Sequence, residues 1–260
     1  MKVCLVYVAT RAVLASILLF CAGTYAADIT VLSAVGLKPV VDELGPKFER
    51  ATGHTLKIAF NPLGLALKQI RDGDASEVVI LPAQGIKSLV QEGRAVEEEV
   101  RAVCNSIVVV AISKGTARPD ISSPEAFKRS MLAIKSITLS DPARGAVVTP
   151  PILKVFERLG IAEEMKHKTI FTQVMGPTGI ANALSEGKLE VTINQLQEFL
   201  PVTGLEIVGP LPGDFHITTP FSAVIMRGAK NLDSDRALID FLRTPEAAAI
   251  IKSKGLEPAF

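Results

Sequence analysis

The sequence predicts an α/β protein of two lobes, with sheets of parallel type flanked by helices. Three observations carry that expectation. Short apolar runs alternate with stretches of helical spacing along most of the chain, the pattern of a parallel sheet covered on both faces. One strand candidate, Cys104 to Ile112, is long enough to cross from one lobe to another. A second, Pro220 to Met226, brings the chain back after the Gly/Pro-rich connection from Val208 to Gly213. The expected lobes are residues 27–106 with 217–260, and residues 107–216.

The chain starts with a short positive region flanked by Lys2 and Arg11, an apolar run from Ala12 to Cys21, and small residues up to Ala26. That is the layout of a secretory signal peptide. Its apolar run falls short of the roughly 20 residues that span a bilayer. Bulky Phe20 argues against lipid attachment at Cys21. Residues 1–26 are therefore expected to be removed, leaving a soluble periplasmic protein.

Ile29 to Ser33 then reads as a strand, with a turn at Gly36 and a helix over Lys38 to Ala51 that buries Val41, Leu44 and Phe48 and stops at Gly53. A strand over Thr55 to Phe60 runs into Asn61-Pro62-Leu63-Gly64, and a helix follows from Leu65 to Arg71. Glu77 to Leu81 is a continuous apolar strand, and Ile86 to Glu92 a further helix. After the long strand, Ser122-Ser123-Pro124-Glu125 opens a helix through a capping box. Ile137 to Ser140 is a strand halted by Asp141-Pro142, and helical spacing resumes from Val147 to Leu159. A short helix over Thr178 to Leu184 and a strand over Glu190 to Asn194 complete the middle segment. Helices over Ser234 to Leu242 and Pro245 to Lys254 close the chain.

Of the 260 residues, 26 fall in the leader, which leaves 234, enough for one large domain or two small lobes. Cys4 and Cys21 leave with it, so Cys104 alone remains and no internal disulfide can form. The chain holds 28 basic and 27 acidic residues, and the leader's two cations bring the remainder to about −1. So balanced a charge gives no footprint for nucleic acid or an anionic membrane. Tryptophan is absent and tyrosine scarce, so stacking platforms for sugars or bases are not expected.

Ligands of parallel α/β sheets collect beyond the carboxyl ends of the strands, where helix N-termini present backbone N–H groups. Four loops stand there: Ser33 to Gly36, Asn61 to Gly64, Asp141 to Gly145, and Asn194 to Gln197. They supply the candidate ligand-binding residues Ser33, Gly36, Asn61, Leu63, Gly64, Arg144, Gly145, Asn194 and Gln195. Arg144 is the cation among them, and a guanidinium suits bidentate capture of a carboxylate. Lys38 is weaker, because first-turn lysines are usually solvated. The amides of Asn194, Gln195 and Gln197 both donate and accept, and their competing use is to satisfy local backbone.

His54, His167 and His216 lack the spacing of a metal site, so no metal and no cofactor is expected. Serine-hydrolase, zinc-protease, phosphate-loop and dinucleotide signatures are all missing, which argues against a hydrolase, a kinase or a dehydrogenase. An isomerase needing one base remains open, with His216, Glu198 and Ser33 as candidates and Thr149 as a hydroxyl relay.

The runs Ile29-Thr30-Val31, Lys47 to Gly53, Ala66 to Ile70, Ser140-Asp141-Pro142 and Leu238 to Leu242 with Pro245-Glu246-Ala247 resemble the periplasmic molybdate-binding proteins of ABC importers. The resemblance covers essentially the whole chain after the leader and implies the two-lobed type 2 periplasmic binding-protein fold. Molybdate binders of that family carry three hydroxyl-bearing positions, which here look like Gly36, Leu63 and Gln195. Asn194 to Val202 and Val208 to Pro212 are similar to a divergent branch that also resembles bacterial aconitate isomerase. The resemblance implies a monomeric receptor for a small organic anion, a di- or tricarboxylate rather than molybdate, that serves the membrane subunits of an importer. The alternative it implies is an isomerase that moves the double bond of an unsaturated tricarboxylate.

Overall fold

A computed structural model describes residues 26–260, so the expected leader, with Cys4 and Cys21, lies outside the described residues apart from Ala26. The first half opens with strand β1 (Asp28–Ala34), a 3-10 turn at Val35–Leu37, helix α1 (Lys38–Thr52) and β2 (Thr55–Asn61). It continues through α2 (Leu63–Arg71), β3 (Val78–Pro82), α3 (Ala83–Gln91) and the long strand β4 (Arg101–Ser113). The second half holds α4 (Pro124–Ala133), β5 (Ile137–Ser140), α5 (Thr149–Arg158), α6 (Ala162–Lys168) and β6 (Thr169–Thr172). It ends with α7 (Gly176–Ser185), β7 (Val191–Gln195), the single turn α8 (Leu196–Phe199) and β8 (Leu205–Pro210). The chain then returns along β9 (Thr218–Ile225) to α9 (Leu232–Phe241), α10 (Pro245–Ser253) and β10 (Leu256–Pro258).

Strand order along the main path is β2-β1-β3-β9-β4-β7-β5-β6, with β8 and β10 also paired to β4. β2, β1 and β3 are parallel to one another, as are β6, β5 and β7. The pairs made by β9, β8 and β10, and that between β4 and β7, are antiparallel. The sheets therefore add antiparallel pairs to the parallel ones that the alternation suggested. The reason is connectivity: β4 leaves one half and β9 comes back, so the two lie side by side in opposite directions.

β4 is shared between the halves. Arg101 to Ile107 pairs with β9, whereas Val108 to Ile112 pairs with β7. The buried apolar residues divide at the same place. One cluster includes Ile29, Phe48, Val79, Phe221 and Ile251, and a second is built around Phe127, Ile152, Phe156 and Ile193. A third, with Ile180, Phe199 and Val109, covers the other face of the second half's sheet. Each fully buried aliphatic or aromatic side chain contributes about 1.5–3 kcal/mol, and this packing holds the described residues together, among which Cys104 is buried and free.

Several local expectations change. The helix expected at Leu65 begins at Leu63, and the long strand starts three residues earlier than read, at Arg101. Ser123 caps α4 by accepting from the Ala126 amide at 3.1 Å, which puts Glu125 one position too early to close a capping box. Residues 205–210 form β8 rather than a plain connection, because Pro210 is tolerated on a strand that pairs on one side with β4. The reading also passed over α6, β6, α8 and β10. Among the described residues no helix is long and apolar enough to cross a membrane.

Candidate functional site

The carboxyl ends of the parallel strands in both halves face one cavity. Ala34 ends β1, Pro62 follows β2, Pro82 ends β3, Ser140 ends β5 and Gln195 ends β7, and all five line it. Apolar walls come from Val35, Leu63, Ala146, Val147, Val148, Met175 and Phe221. The free space is about 50 Å³, room for roughly three to five waters or a small acid of similar bulk.

Four helices of nine or ten residues begin on this cavity: α2 after Pro62, α3 after Pro82, α5 after Val148 and α7 after Met175. None of these preceding residues accepts a hydrogen bond on its side chain, whereas Ser123 and Thr244 do so for α4 and α10. Proline, valine and methionine cannot act as caps, so first-turn N–H groups at these helix starts have no side-chain acceptor, although Pro150 and Pro151 of α5 and Pro177 of α7 have no N–H to offer.

Polar side chains gather at the end of β7. The Asn194 amide donates to Ser140 Oγ at 3.2 Å and to Glu198 Oε2 at 2.7 Å, while its carbonyl accepts from the Gln195 backbone N–H at 2.8 Å. Ser106 Oγ donates to Gln197 Oε1 at 2.7 Å, and Gln197 Nε2 donates to Gln195 Oε1 at 3.2 Å. That chain leaves Gln195 Nε2 buried and without a partner. A buried donor in that state costs about 1–3 kcal/mol, which a ligand acceptor would recover. Glu198 lines the cavity, and burial pushes its carboxyl up to about 7 despite the opposing bond from Asn194.

The two halves touch at a pair of glycines. Gly145 has φ of 91°, and a Cβ built there would lie 3.1 Å from the Gly64 backbone nitrogen. Gly36 is likewise close-packed, since a Cβ there would meet Gln195 Oε1 at 3.1 Å.

Of the candidates read from sequence, Gly36, Leu63, Gly145, Asn194, Gln195 and Glu198 come together on the cavity wall. Others do not. Arg144 is half exposed, donates to Gln173 at 3.0 Å and sits 3.7 Å from Asp141, because the 3-10 turn at residues 142–144 points its side chain outward. Ser33 is buried with its hydroxyl toward the Ala34 carbonyl, and the Asn61 amide donates to Gln69. Gly64 lines an adjoining groove rather than the cavity. His216 is exposed outside it, and the Thr149 hydroxyl donates to the Ser140 carbonyl at 2.6 Å. Lys38 is also exposed and pairs with Asp42 at 2.8 Å.

Sequence reasoning missed Ser140, Met175, Gly176 and Phe221. Ser140 obeys the same strand-end rule as the loop after it. Met175 and Gly176 follow β6, a four-residue strand with exposed Ile170 and Phe171 and no buried alternation to announce it.

The family model for bacterial extracellular solute-binding proteins matches residues 29–257, and the chain belongs to that family. It is 26% identical over 235 residues to aconitate isomerase from Pseudomonas sp, covering 88% of this chain and 87% of the relative. It is 25% identical over 242 residues to the molybdate-binding protein ModA of Azotobacter vinelandii, covering 92% of each. Among solved structures, the periplasmic molybdate-binding protein of Azotobacter vinelandii superposes with a TM-score of 0.71 at 18% identity, over 88% of this chain and 98% of that one. The fold is thus that of the periplasmic binding proteins, as the sequence resemblance implied.

Proposed function

We propose that the protein is an exported receptor that captures a small organic anion, a di- or tricarboxylate, between two lobes formed by residues 27–106 with 217–260 and residues 107–216. The lobes close over the ligand by hinge motion at β4 and β9. One observation carries the reading: Gln195, whose buried amide nitrogen Nε2 has no hydrogen-bond partner, lines a cavity beside the uncapped starts of four helices. The role assigned to Arg144 passes to those backbone dipoles. Molybdate is not the ligand, because Gly36, Leu63 and Gln195 offer it no hydroxyl. Family membership supports release of the ligand to the membrane subunits of an ABC importer, with the periplasm as the place of work; the working form proposed is a monomer. A thermal-shift screen of succinate, fumarate, citrate, cis-aconitate and trans-aconitate tests the ligand class, and no stabilisation by any of them refutes it.

A second reading is favoured by Glu198 and by the likeness to aconitate isomerase. A cavity-facing carboxyl shifted to about 7 is suited to general base work at neutral pH. It would remove a proton from a methylene carbon of the substrate, leave an allylic carbanion steadied by the helix dipoles, and return a proton at the far carbon. The double bond moves and no proton is gained or lost overall. Incubation with cis- or trans-aconitate in deuterated solvent decides between the readings: an isomerase incorporates deuterium, and a receptor returns its ligand unchanged.

A further inference from the structure

The cavity walls carry a single titratable side chain among the described residues, and it is an acid. Glu198 is held there by Asn194, which donates to Oε2. The second oxygen, Oε1, accepts from no protein group among the described residues and lies on the side of Gly36, 3.7 Å from where a Cβ would stand. The other charged groups on the surrounding elements do not line the cavity, among them Arg101 of β4, Lys87 of α3 and Lys154 of α5. Lys38 on α1 pairs with Asp42, Asp141 and Arg144 after β5 face each other, and α7 and β7 carry no charge.

An anionic ligand entering this cavity thus meets a carboxyl with no cation to separate the two. Like charges in one desolvated site cannot both ionise, so one of them must hold a proton. We propose that Glu198 determines specificity by being a protonated donor in the complex: its Oε1–H bonds a carboxylate of the ligand, and each anion captured above neutral pH brings one proton with it. The proposal rests on the receptor reading above. It distinguishes ligands by their need for a hydrogen-bond donor at that spot, and it makes capture tighter in mildly acidic surroundings. The free carboxyl is already shifted upward by burial, so the proton is within reach near neutrality.

The test is titration calorimetry of the full protein with trans-aconitate and with citrate at pH 6 and pH 8.5, each in two buffers of different ionisation enthalpy. The expected result is uptake of about one proton per ligand at pH 8.5 and little at pH 6, with affinity falling up to about tenfold per pH unit above neutrality. Glu198→Gln keeps a donor at the same place without a titrating proton, so it should bind with no uptake at Glu198 and with that slope lost. Binding by the wild-type protein without proton uptake at pH 8.5 would overturn the proposal while leaving the receptor reading intact. Absence of binding by either acid at either pH would overturn both, and the wild-type uptake measurement does not depend on whether the variant folds.

Discussion

Replacing Gln195 by leucine should separate stability from binding. In the ligand-free protein its Nε2 is buried and unpartnered, so removing it relieves about 1–3 kcal/mol of desolvation. The same change takes away Oε1, which accepts from Gln197 Nε2 at 3.2 Å, and strands that donor at a similar cost. Ser106 still holds the other end of Gln197 at 2.7 Å, so the cluster keeps its shape. The two terms nearly cancel, and the expected change in stability is within about 1 kcal/mol, or roughly 2–4 °C in Tm. Binding has no such cancellation. A donor to a charged ligand contributes about 1.5–3 kcal/mol, so Kd for a carboxylate should rise roughly 10- to 150-fold. Thermal melting and calorimetric titration of Gln195→Leu read both quantities on one preparation. A variant that melts far below wild type yet binds normally would refute the reasoning and make Gln195 a structural residue.

Other outcomes follow from the same geometry. Arg144→Ala should leave carboxylate affinity within about fivefold of wild type by calorimetry, because an exposed guanidinium contributes at most about 1 kcal/mol. Gly145→Ala must hold a left-handed φ with a Cβ 3.1 Å from Gly64, so melting should show a loss of about 1–2 kcal/mol, and titration a weaker ligand through impaired closure. Molybdate and tungstate should show no submicromolar binding by calorimetry. Asp235 is buried with neither oxygen bonded, and burial, reinforced by Glu77, raises its carboxyl to about 7. A raised carboxylate favours folding while protonated, so its contribution is lost as pH climbs from about 4 to about 7. Asp235→Asn should therefore melt higher than wild type at pH 8 and show less change across that window.

The alternation of strands and helices, the long crossing strand and its return were legible because burial on both faces writes continuous apolar runs such as Val78 to Leu81. β6 and β8 were not, since edge strands are half exposed and admit Pro210. At the site, the strand-end rule located Gly36, Leu63, Gly145 and Gln195, because loop position follows from element order alone. It could not tell which way a side chain turns. Arg144 and Asn61 occupy the right loops and face away, held by Gln173 and Gln69. Glu198 sits only three residues beyond the strand end, and the single turn of α8 is what folds it back over Asn194.

The most direct test of the account is calorimetric titration of the wild-type protein at pH 6 with di- and tricarboxylates and, separately, with molybdate. The account predicts saturable one-to-one binding of at least one carboxylate and none of the oxyanion. Tight molybdate binding with no response to any carboxylate would contradict it.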